Sequence, residues 1–113
     1  MMERTLLAIT SPPGSPQAVR ALAVACTLDD QVQTIALALL QDAVLAAVRH
    51  DRTPVAQVVS RLLAQGVAVY VAQQDLTLRG FSAHDLTPRA TAVDDRRIVD
   101  LMLADGTKTV GCF

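Results

Sequence analysis

Apolar runs of strand length alternate along this chain with segments whose apolar residues recur every three to four positions. The first run, Thr5–Thr10 (TLLAIT), meets the breaker SPPGSP at once. Ser15 followed by Pro16 marks a helix start, a capping hydroxyl ahead of a residue that needs no backbone donor. The helix predicted there, Pro16–Leu28, carries Val19, Leu22, Ala23 and Cys26 at helical spacing and ends at Asp29-Asp30. Gln33–Leu40 reads as a second strand, apolar on both faces as a central parallel strand is. Asp42 reads as the cap of a helix over Ala43–Arg49. Thr53-Pro54 opens the next helix, Pro54–Gln65, with Val55, Val58, Val59, Leu62 and Leu63 on one stripe and Gly66 as its C-terminal stop. Val67–Ala72 is a third strand, followed by a short helical turn, Gln73–Leu78, closed by Gly80. Ser82 to Asp85 has capping-box spacing with Asp in place of Glu. A strand over Arg89–Val93, a helix from Asp94 or Asp95 to Leu103 containing Ile98, Val99, Leu101 and Met102, and a last strand Thr107–Cys112 complete the series.

Such alternation predicts an α/β fold, a mainly parallel sheet of about five strands with helices on both faces. No linker, repeat or low-complexity tract interrupts it, so residues 1–113 are expected to form a single domain. A chain of 113 residues buries enough surface for a core without disulfides or metal.

Composition removes several function classes. With 51% hydrophobic residues the chain is not disordered. Ten basic residues against 11 acidic ones leave a net charge of −1, the wrong balance for a nucleic-acid surface. Two Phe, one Tyr and no Trp give no platform for stacking bases. No apolar run reaches the roughly 18–20 residues of a membrane span. The N-terminal MMERTLLAIT runs straight into SPPGSP and reads as a first strand, not a signal peptide. The two cysteines form neither a disulfide framework nor a metal pattern, and a reducing cytoplasm is the expected setting. A mean hydropathy of +0.35 points to self-association of the isolated chain.

Ligands of open α/β sheets gather at the carboxyl ends of strands. Here those ends are Ser11–Ser15, Gln41-Asp42, Ala72–Asp75 and the segment before Asp94. SPPGS has no phosphate-loop spacing, and its prolines remove amide donors. Asp42 is a candidate base or metal ligand, but no carboxylate or His stands at a supporting spacing, and the cap reading is simpler. His50 and His84 belong to no metal or catalytic motif. Arg96-Arg97 reads as a solvated pair or a contact for an acidic partner. Cys26 lies towards a helix C-terminus with Asp29 and Asp30 following, and Cys112 lies one residue from the chain end. Both surroundings disfavour a thiolate, which requires positive potential. These residues alone describe a small α/β domain with a site-like junction and no catalyst.

The order of SPP, LLQDAVLAAV, VYVAQQDLTLRGF and DDRRIVDLML resembles the DsrH/TusB family, within the DsrE/DsrF/DsrH-like superfamily of sulfur-relay proteins. The match extends over nearly the whole chain, and its most specific pieces are Gln41–Val48 and Val69–Gly80. The resemblance implies a three-layer α/β/α fold, and no cofactor is expected. It implies a heterohexamer with sister DsrE/TusD-like and DsrF/TusC-like chains. Sulfur would arrive from a TusA-like carrier and leave to a DsrC/TusE-like protein, for 2-thiolation of tRNA wobble uridine or for dissimilatory sulfur metabolism. In the catalytic sisters a persulfide cysteine precedes a helix that ends in Arg-Gly. Counting back from Gly80, that place is Ala72 or Gln73. The resemblance therefore implies a sister that lacks the thiol, with Gln73, Gln74, Asp75 and Arg79 retained to build the junction. Three departures stand out. Ala43 replaces the family's Gly in the QDG block, Ala21 occupies the place of a helix cysteine found in some members, and Phe113 stands for a terminal Trp. Two alternatives stay open: a sulfurtransferase carrying persulfide on Cys26 or Cys112, and a stand-alone homo-oligomeric binder of a small ligand.

Overall fold

The structure, a computed structural model, describes residues 4–31, 34–111 and 113. Five strands are present: β1 (Arg4–Ile9), β2 (Ile35–Leu39), β3 (Ala68–Ala72), β4 (Thr91–Val93) and β5 (Thr107–Val110). Between them lie α1 (Pro16–Asp30), α2 (Pro54–Ala64), α3 (Gln73–Leu78) and α4 (Asp95–Leu103). Two 3-10 segments, Gln41–Ala47 and Ala83–Asp85, complete the elements. The sheet order is β4-β3-β2-β1-β5, and every neighbouring pair is parallel. The expected α/β architecture is therefore observed.

Strand order places the helices. From β1 through β4 each connection moves one place in the same direction, so right-handed crossovers put α1 to α3 on one face. The last connection runs back across the whole sheet, and α4 covers the opposite face. Side-chain alternation follows this division. Leu7, Ile9, Leu37, Leu39, Val69 and Val71 enter the main core under α1 and α2. Leu6, Ala36 and Ala38 form a smaller core with Leu101 of α4.

Helix starts follow local chemistry. Ser15 Oγ accepts from Ala18 N at 3.2 Å, Thr53 Oγ1 from Ala56 N at 3.2 Å, and Asp94 Oδ1 from Arg97 N at 2.8 Å. The Ser82–Asp85 capping box forms as its spacing predicts. Gly66, at φ +93, lets Val67 N turn back to Leu62 O and closes α2.

Three expectations need correction. α1 runs two residues past Leu28 and ends at Asp30, so both aspartates belong to its last turn. It buries Ala18, Ala21, Leu22 and Ala25, so of the expected stripe Leu22 is buried and Cys26 half-buried against the core, while Val19 and Ala23 face away from the sheet. Alanines let the helix approach β1 and β2 closely, and the bulkier Val19 is turned aside. Finally, Asp42 caps no helix over Ala43–Arg49. The segment is 3-10, starts at Gln41 after the non-capping Leu40, and ends at Ala47. It ends there because Val48 forms an antiparallel bridge with Leu86, flanked by Thr87 N to Ala47 O and Arg49 N to Asp85 O. Gln33 and Cys112, the outer ends of two expected strands, lie outside the described residues. Among the described residues no helix is long and apolar enough to cross a membrane.

Candidate functional site at the β3–α3 junction

β2 and β3 are adjacent and parallel, so the residues that follow them meet at the same end of the sheet. Gln41 and Asp42 leave β2 there, and Gln73–Leu78 begins there after β3. Ala72 stands at the turn itself, fully buried, as the non-capping residue before α3. Leu76, also fully buried, pins α3 against the core. Gln73 and Gln74 are exposed.

A polar network ties the two loops together. Asp75 Oδ2 accepts from Gln41 N at 2.8 Å. The Arg79 guanidinium donates through Nε (3.0 Å) and Nη2 (2.8 Å) to Asp42 Oδ1, and through Nη1 to the Asp75 carbonyl at 3.0 Å. Helical spacing sets Arg79 over the carbonyl one turn before it. Gly80, at φ +84, then turns the chain so that Phe81 N reaches Leu76 O. Gln41 takes φ +52, uncommon for a residue with a side chain, and the Asp75 carboxylate holds its N–H in that conformation. Ala43, where the resembled family has Gly, is buried and is not among the residues at positive φ, so a methyl group is accommodated.

The Asp42 role is thus corrected from helix cap to partner of Arg79, 37 residues away. All three Arg79 guanidinium nitrogens are engaged within the network, and the group aimed at the junction from position 72 is a methyl. A cavity of about 290 Å³ opens beside it, lined by Gln73, Gln74, Thr77, Asp94 and Asp95.

Cys26 sits elsewhere. α1 runs back from the carboxyl end of β1, so its later turns lie towards the amino ends of the strands. There Arg61 Nη2 of α2 donates to Cys26 Sγ at 3.3 Å. The expectation drawn from Asp29, Asp30 and the helix end missed this cation, because no local signal joins residues 35 positions apart. Cys112 lies outside the described residues. His50 and His84 are exposed, and among the described residues no three His, Cys, Asp or Glu side chains cluster as metal ligands. In SPPGS, Ser15 Oγ is engaged by the Pro12 carbonyl and the α1 cap.

Sheet order and junction together define a small all-parallel α/β protein whose loops converge at the carboxyl ends of its central strands. The profile described as "DsrH like protein" matches residues 10–107, and the chain belongs to that family. It is thereby a protein of the sulfur-relay type. Solved structures agree on the fold. The ychN protein from E. coli is 25% identical, with a TM-score of 0.80 over 97% of this chain and 100% of that one. A protein of unknown function, MTH1491 from Methanobacterium thermoautotrophicum, is 15% identical, with a TM-score of 0.77 over 96% and 97%, and shares the fold. No curated protein matches the chain.

Proposed function

We propose that this chain is a non-catalytic subunit of a sulfur-relay complex. One observation carries the reading: the buried turn where a catalytic sister would present its thiol holds Ala72, with Gln73 and Gln74 beyond it. Asp42, Asp75 and Arg79 beside it are engaged with one another and with the Gln41 N–H, which suits a structural junction better than a reacting one. The partners would be DsrE/TusD-like and DsrF/TusC-like sister chains, which supply the persulfide. A TusA-like donor and a DsrC/TusE-like acceptor would stand at either side of the relay, leading to wobble-uridine thiolation in tRNA or to dissimilatory sulfur metabolism.

The Arg61–Cys26 contact favours a second reading. Arg61 Nη2 donates to Cys26 Sγ at 3.3 Å, and a cysteine sulfur can accept sulfane sulfur. One experiment separates the two. The purified chain is incubated with a small-molecule persulfide donor, and its intact mass is measured beside Cys26→Ala and Cys112→Ala. The proposal expects no stoichiometric gain of sulfur. A gain of one sulfur that disappears in either variant makes that cysteine the carrier and overturns it.

A further inference from the structure

Five large apolar side chains among the described residues lie on helices and yet face solvent: Val19 and Val24 of α1, Leu78 of α3, and Val99 and Leu103 of α4; Val19 (52% exposed), Val99 (51%) and Leu103 (77%) sit in settings that match. Their settings are complementary. Val19, Ala23 and Cys26 form one wall of a groove whose other wall is Val55 and Val58 of α2. The groove holds about 380 Å³, and the Arg61–Cys26 hydrogen bond bridges its two helices at one end. The seven steps from Val19 to Cys26 make the wall roughly 10 Å long. An apolar trough of that length between two helices accepts one face of a third, anchored at i, i+3, i+4 and i+7. α4 presents that face: Arg96, Val99, Asp100 and Leu103 occupy those four positions and all are exposed. The ridge, from Arg96 to Leu103, spans the same seven steps. α4 buries only Ile98 and Leu101 against the sheet.

We infer that the α4 ridge of one copy docks in the α1–α2 groove of a second copy. Groove and ridge lie on opposite faces of one sheet, so no chain can fill its own groove. The contact is head-to-tail. Charge sets its direction. At its Cys26 end the groove meets Asp29, Asp30 and Arg61. Arg96 seated towards the two aspartates sends Val99 and Leu103 along the apolar walls towards Val19 and leaves Asp100 within reach of Arg61. A head-to-tail contact closes a ring or extends as a chain of copies.

That asymmetry gives the test. Sedimentation velocity is measured on the full chain at about tens of micromolar, the range of weak interfaces. It is repeated on Val19→Glu, on Leu103→Glu and on their equimolar mixture. The wild type associates. Each variant alone is monomeric, because each has lost one half of the contact. In the mixture the Val19→Glu copy keeps its ridge and the Leu103→Glu copy keeps its groove, so a discrete dimer returns and stops there. A monomeric wild type, a variant that still associates alone, or a mixture that stays monomeric overturns the inference. Both sites are exposed, and circular dichroism checks folding. If either acidic substitution unfolds the chain, Val19→Ala and Leu103→Ala replace the pair, each raising the dissociation constant by about tenfold, as loss of a buried anchor does. The assay reads association alone, so its outcome is independent of the sulfur chemistry proposed above.

Discussion

Removing the Arg79 side chain tests the junction most directly. Arg79→Ala deletes two hydrogen bonds to Asp42 Oδ1 and one to the Asp75 carbonyl. The ion pair is only partly shielded, with side-chain exposures of 26% for Arg79 and 52% for Asp42. A pair this open contributes about 0.5–1 kcal/mol after screening. The bond to the Asp75 carbonyl adds about 0.5–1 kcal/mol. Arg79→Ala should therefore lose about 1–2 kcal/mol, read as a fall of roughly 4–8 °C in Tm for a domain of this size. Asp42→Asn removes the charge and keeps the shape, and should lose about 0.5–1 kcal/mol. In the double variant the losses should fall short of additive by about 0.5–1 kcal/mol, because the two side chains meet. Arg79→Lys should behave nearly as Arg79→Ala, since one ammonium cannot serve both an Asp42 oxygen and a carbonyl at fork spacing. Urea unfolding followed by circular dichroism measures all four chains. Fully additive losses, or an unchanged Arg79→Ala, would refute the account of a network that ties the β2 and β3 loops together.

Two further predictions concern packing and backbone. Leu76→Ala should destabilise by about 3–4 kcal/mol in urea unfolding, because the residue is fully buried and its removal leaves a cavity under α3; a loss near 1 kcal/mol would mean the site collapses freely. Gly66→Ala and Gly14→Ala form a matched pair, since a Cβ at either meets nothing within 4 Å, but only Gly66 has positive φ, at +93. The first should lose about 1 kcal/mol from backbone strain alone, and the second should be neutral or gain a few tenths; equal effects would contradict the conformational argument.

What the sequence by itself determined is the part governed by chemistry within a turn or two. Ser15, Thr53 and Asp94 cap helices because a side-chain oxygen three residues from an unpaired N–H leaves little choice. β2 reads as central because its five residues are apolar on both faces, and all five are buried. The place of Ala72 at the junction was likewise legible, from its position between a strand and an Arg-Gly helix end. Tertiary structure decided the rest. Asp42 looks like a cap in sequence, but strand adjacency brings Arg79 to it and the β-bridge at Val48 stops the helix it would have capped. Cys26 reads as surrounded by negative charge until α2 lays Arg61 on its sulfur. Val19 sits on an apolar stripe in sequence, yet the alanine face of α1 packs closer to the sheet and leaves Val19 outside. In each case the deciding neighbour is remote in sequence, and only the β4-β3-β2-β1-β5 order of the strands determines which remote segments become neighbours.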